Sequence, residues 1–169
     1  MVLGMSVAAF TNLHVALSLI GIAMGLLMAL GMVRKRLWPG VTAVFLVTTV
    51  LTSLTGFLFP FKGITPGIVF GILSLIALAI AIGARYGGHL AGRWRGAWVL
   101  SAMLALYLNF FVFLVQLFDK VPELRAMGSQ QKEGLFAAAQ LATLVAFILW
   151  TVRAFRRFNV VVPEAAKTV

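Results

Sequence analysis

The chain contains no cysteine. It therefore has no thiolate to ligate zinc or an iron–sulfur cluster, no redox thiol and no disulfide framework. It is almost as poor in acid, with 4 Asp or Glu against 14 Lys or Arg, and charged residues make up only 11% of its 169 positions. A soluble domain is about a quarter charged, because polar side chains must cover its surface. Chemical motifs are missing too. There is no G-x-S-x-G, no phosphate loop and no dinucleotide fingerprint, and no acidic residue lies inside an apolar run to pair with His14. Hydrolytic and nucleotide-dependent chemistry lack their usual residues, and the sequence implies no catalytic residue, metal or cofactor.

What the chain does have is apolar length. Hydrophobic residues are 62% of the total, and they fall into five runs: about Phe10 to Val33, Gly40 to Phe59, Pro66 to Ala84, Ala97 to Phe118, and Leu135 to Val152. A helix rising 1.5 Å per residue needs roughly 20 apolar residues to cross a hydrocarbon core about 30 Å thick. Each run closes at charge, Gly or Pro. None shows the alternation of a membrane barrel strand, and a helix satisfies its own backbone in lipid. The expected fold is all-α, an integral membrane bundle of five transmembrane helices forming one domain over residues 1–158, with a tail over 159–169. The first run is expected to be an uncleaved helix rather than a signal peptide, since no Lys or Arg precedes it and it is too long.

The basic residues report orientation. Arg34, Lys35, Arg36, Arg85, Arg93, Arg95, Arg153, Arg156, Arg157 and Lys167 fall on one side of a five-span chain, and Lys62, Lys120, Arg125 and Lys132 on the other, together with Asp119, Glu123 and Glu133. Short loops rich in Lys and Arg stay in the cytoplasm, which predicts an N-terminus outside and a C-terminus inside. The net charge of +10 then belongs to topology and to a bilayer with anionic headgroups. No segment outside the runs is long enough for a basic nucleic-acid-binding domain.

In lipid, helices associate through small residues and interhelical hydrogen bonds. Gly21 and Gly25, Thr48 with Thr52, Thr55 and Gly56, Gly67 and Gly71 with Ser74, and Ala138 with Ala142 and Ala146 are expected to face neighbouring helices. Neutral polar residues inside the runs mark the candidate site, because a polar group in a membrane is costly. His14, Thr52, Asn109, Gln116 and Gln140 fall in the outer halves of four helices, and Asn109 and Gln116, seven apart, are expected on one face. They could bind a quinone or another small ligand, or they could hold the bundle together. A haem held by two imidazoles is disfavoured, because His89 lies at the opposite membrane face. Charge-driven transport lacks an ionised residue deep in any span. Two connectors are also readable. Phe59 to Gly67, stiffened by two prolines, is expected to lie in the interface, and Val121, Leu124 and Met127 suggest a short amphipathic turn lying on the bundle.

The strings TSLTGFLFPF (52–61) and ALYLNFFVFLVQLFDKVPEL (105–124), with the later Gln140, resemble a family of small bacterial inner-membrane proteins without an assigned activity. The resemblance implies a bacterial cytoplasmic membrane and draws attention to Asn109, Gln116, Lys120, Pro122 and Gln140. It transfers no catalytic residue. Three functions follow as expectations: a structural or accessory membrane component without catalysis, alone, as a homo-oligomer or within a larger complex; a binder of quinone or a small apolar ligand; or a minimal oligomeric transporter.

Overall fold

The computed structural model describes residues 1–59 and 66–158. They form helices α1 (Val7–Val33), α2 (Pro39–Gly56), α3 (Pro66–Ile82), α4 (Arg93–Lys120), α5 (Pro122–Arg125) and α6 (Ser129–Arg157). α3 widens at its end into a π-helical turn, Gly83–Gly87. All but the short α5 are long and apolar enough to cross a membrane. Residues 60–65 of the proline-stiffened connector expected between the second and third runs, and the tail, lie outside the described residues.

The helix ends follow from local chemistry. Ser6 caps α1 by accepting from the Ala9 N–H at 3.2 Å, which removes one orphan donor of the first turn. α1 stops where Lys35 takes a left-handed backbone (φ 58°) and the Arg36 N–H reaches back to the Gly31 carbonyl at 2.9 Å, a closure that satisfies a terminal carbonyl. α2 begins with Pro39, whose missing N–H costs nothing at a first turn. The helices overrun the apolar runs at most ends: α4 starts four residues earlier than Ala97 and α6 six residues earlier than Leu135. Arg93, Arg95 and Ser129 to Gly134 continue the backbone hydrogen bonding although they add no apolar face. α2 instead stops three residues short of Phe59.

α1, α2, α3 and α4 pack as a closed ring in which each touches the next and α4 returns to α1, while α6 lies outside against α4 and α1. The chain alternates direction, so Arg34–Arg36, Arg85–Arg95 and Arg153–Arg157 share one end of the bundle, here termed the basic end. The buried apolar core (Met28, Met32, Phe45, Leu78, Trp98, Met103 and Leu106 among its large members) fills the middle and the basic half. Glycine permits its closest approach. A Cβ on Gly25 would collide with Leu106 and lie 2.9 Å from the Phe45 ring, so α1 meets both α2 and α4 there. The Val121, Leu124 and Met127 turn forms as expected, each side chain half-buried between exposed neighbours.

Two of the expected small-residue contacts fail: Gly67 is exposed, and so is the alanine stripe of α6. Ala138, Ala142 and Ala146 are exposed, and Phe147 and Ala154 are the buried residues of α6. The helix docks with its large side chains instead. Phe147 meets Tyr107 and Phe110 (centroids 5.6 and 5.7 Å), and Phe136 meets Phe118 at 5.3 Å. Aromatic rings at such spacings add dispersion and quadrupole attraction that a methyl stripe cannot. At the basic end Arg95 donates to the carbonyls of Phe155 (3.2 Å) and Phe158 (2.5 Å), tying α4 to the closing turn of α6. At the other end Lys132 pairs with Asp119 at 3.3 Å.

Candidate functional site

His14, Ser18, Gly21 and Gly25 recur at spacings of four, three and four, which sets them along one face of α1. Opposite them run Thr55, Thr52, Thr48 and Phe45 of α2, with Asn109 and Leu106 of α4 alongside. The result is a column of neutral polar groups between three helices, reading from the end opposite the basic one toward mid-bundle.

Phe59 closes its mouth, edge-on to Phe10 at 5.0 Å and to the His14 ring at 5.3 Å. Next, His14 Nδ1 lies 2.8 Å from Thr55 Oγ1. Thr55 Oγ1 also lies 2.7 Å from the Leu51 carbonyl, so its hydroxyl joins the imidazole to the α2 backbone. One turn deeper, the Ser18 hydroxyl donates to Asn109 Oδ1 at 2.9 Å. Deeper again, Gly21 brings the α1 backbone against three polar atoms. The place its Cβ would occupy is 3.0 Å from Thr49 Oγ1 and 3.2 Å from both Asn109 Nδ2 and Thr48 Oγ1. Below that, Gly25, Phe45 and Leu106 close the column with apolar surface.

Most hydroxyls of α2 are committed to their own helix. Thr48 donates to the Val44 carbonyl (2.7 Å), Thr52 to Thr48 (2.8 Å) and Ser53 to Thr49 (3.0 Å), the usual resolution for Ser and Thr inside a helix. Thr49 differs. It is 1% exposed, and its Oγ1 has no hydrogen-bond partner; Asn109 Nδ2, on a residue 7% exposed, has none either. Two unpartnered polar atoms therefore converge on Gly21. A buried polar atom without a partner costs about 1–3 kcal/mol.

The five residues singled out in the sequence separate in space. His14 and Asn109 line the column. Thr52 borders it but spends its hydroxyl on the Thr48 carbonyl. Gln140 lies where α6 meets α4 and donates to the Phe111 carbonyl at 3.3 Å, its Oε1 buried without a partner. Gln116 is exposed. Its separation from Asn109 has a physical reason. The last turns of α4 bury Leu114 and Phe118, and Phe118 turns toward α6 rather than toward α1, so Gln116 leaves the covered face. Lys120 and Pro122 are likewise exposed. Ser18 and Thr49 join the column although they are not among the five candidate residues of the sequence. Ser18 was legible as the fourth residue after His14 on the face that carries Gly21; nothing in the sequence marks Thr49 off from the other hydroxyls of α2.

Comparison with family models, with curated proteins and with solved structures found no match.

Proposed function

We propose that the chain is a multi-pass integral membrane protein of the bacterial cytoplasmic membrane, with its basic end in the cytoplasm, acting as a non-catalytic structural or accessory component. The observation that carries this reading is the use of the intramembrane polar groups. His14 with Thr55, Ser18 with Asn109, and Gln140 with the Phe111 carbonyl each join two helices. Such bonds hold a bundle in lipid, where apolar surface alone gives helices no reason to associate. The bacterial location rests on the resemblance of the 52–61 and 105–124 strings, and the orientation on the distribution of Lys and Arg.

A second reading has one specific observation behind it. Thr49 Oγ1 and Asn109 Nδ2 offer a hydroxyl and an amide donor with nothing to bond, which suits a small ligand carrying a carbonyl, such as a quinone headgroup. Thr49→Val separates the two readings. If the column is structural, removing the orphan hydroxyl with a side chain of the same shape leaves the protein equally stable or raises its stability by about 1 kcal/mol, and organic extracts of wild-type and variant protein are alike. If a ligand bridges the two atoms, a small molecule extractable from the wild type is lost in Thr49→Val and in Asn109→Leu.

A further inference from the structure

The junction between α3 and α4 holds a half-buried arginine, Arg85, two of whose guanidinium nitrogens are buried without a hydrogen-bond partner. The π-helical turn at Gly83–Gly87 widens the end of α3, closing with the Gly88 N–H on the Gly83 carbonyl at 2.8 Å and the Leu90 N–H on the Ala84 carbonyl at 3.1 Å. His89, Leu90 and Gly92 then adopt left-handed backbone (φ 47°, 58° and 51°), strained for the two that carry a Cβ. Ala84 and Leu90, both buried, anchor the connection. π-turns of this kind concentrate at functional sites, and this one carries Arg85.

Arg85 lies back against the bundle. Its Cζ is 5.5 Å from the Trp98 ring centre and 5.2 Å from that of Tyr86. Its Nε and Nη1 are buried and unpartnered, and so is Nε1 of Trp98, a side chain 0% exposed. All three atoms are donors. The two aromatic faces give the guanidinium a cation–π contact, but none of these three donors has a hydrogen-bond acceptor. The described acidic residues, Asp119, Glu123 and Glu133, belong to the opposite end of the chain's helices. Buried donors of a cation without a counter-charge are unfavourable, and none of the described acidic residues supplies one.

We propose that Arg85 and the Trp98 indole N–H form a binding site for a phosphate oxyanion at the basic end. Phosphate offers several acceptor oxygens in the geometry a guanidinium fork matches. The head-group phosphate of a membrane phospholipid is one source and free phosphate is the other. Trp98 lies about one helical turn from the exposed Trp94, close to the level where interfacial aromatics meet lipid head groups. The inference rests on the membrane reading, which membrane fractionation tests by itself.

The test uses full-length protein in a phosphate-free nonionic detergent, titrated with short-chain phosphatidylglycerol, with diacylglycerol, or with inorganic phosphate. Bound lipid is counted by native mass spectrometry and stability by thermal unfolding. A lipid-derived phosphate predicts stabilisation by phosphatidylglycerol alone, with lipid occupancy falling at least tenfold in Arg85→Gln and severalfold in Trp98→Phe, and unchanged in the exposed control Arg93→Gln. Stabilisation by inorganic phosphate, lost in the same two variants, places free phosphate in the site and still supports it. Arg85→Met supplies a second, opposed readout. It raises the melting temperature in phosphate-free detergent, where the wild-type cation is uncompensated, and lowers it relative to wild type once the stabilising phosphate is present. The proposal is overturned if Arg85→Gln and Trp98→Phe bind phosphatidylglycerol and phosphate as the wild type does.

Discussion

Ser18 and Thr49 illustrate how differently two small hydroxyls act at similar depth. The Ser18 hydroxyl donates to Asn109 across the α1–α4 contact, so Ser18→Ala removes an interhelical bond and strands an amide oxygen. A loss of about 1 kcal/mol is expected, measurable by unfolding in a denaturing detergent. Thr49 donates to nothing, and Thr49→Val is expected to carry the opposite sign. Gly25 is a steric rather than a polar requirement. A side chain there meets Leu106 and Phe45 together, both parts of a packed core that cannot move apart cheaply. Gly25→Leu should therefore cost more than about 3 kcal/mol, beyond ordinary overpacking, and should be far more damaging than leucine at Gly40 or Gly134, where a Cβ meets nothing within 4 Å. Equal tolerance at Gly25 and Gly40 would contradict the packing described.

At the scale of elements, α6 is the least embedded helix and is attached at separable points. The Lys132–Asp119 pair is exposed, and an exposed ion pair contributes at most about 1 kcal/mol, so Asp119→Asn should barely alter stability. Arg95 does more, because it donates to two carbonyls at the end of α6, and hydrogen bonds from a charged group contribute about 1.5–3 kcal/mol. Arg95→Ala should speed amide exchange in the last two turns of α6 by roughly tenfold or more, since tenfold corresponds to about 1.4 kcal/mol. Exchange in α1 should not change. This helix also shows where the sequence is readable and where it is not. Its existence follows from an apolar run between polar stretches, a property of the chain taken one residue at a time. The face it docks with does not, because that depends on what α4 offers. Tyr107, Phe110 and Phe118 offer aromatic surface, so Phe147 and Phe136 dock and the alanine stripe turns outward. The same dependence undid the pairing of Asn109 with Gln116, whose seven-residue spacing is a sound guide only while α4 keeps one neighbour. The threonine face of α2 was legible, because five hydroxyl-bearing residues between Thr48 and Thr55 have no good reason to face lipid.

Across the whole molecule, charge and polarity divide along the bundle axis. The apolar core occupies the middle and the basic half, the neutral polar column occupies the half toward His14, and three basic segments gather at one end. Alternating helix direction brings those segments together only if each of the five long helices crosses once. The absence of native cysteine makes this directly measurable, because any cysteine introduced is the only one. Single variants Arg36→Cys, Ala91→Cys and Arg157→Cys mark the basic end, and Ala126→Cys and Gln130→Cys the opposite one. Treating intact cells with a membrane-impermeant maleimide should label Ala126→Cys and Gln130→Cys at once, and the other three only after permeabilisation. Labelling of Arg36→Cys, Ala91→Cys or Arg157→Cys in intact cells, or a split among those three, would contradict a five-span bundle with its basic end in the cytoplasm.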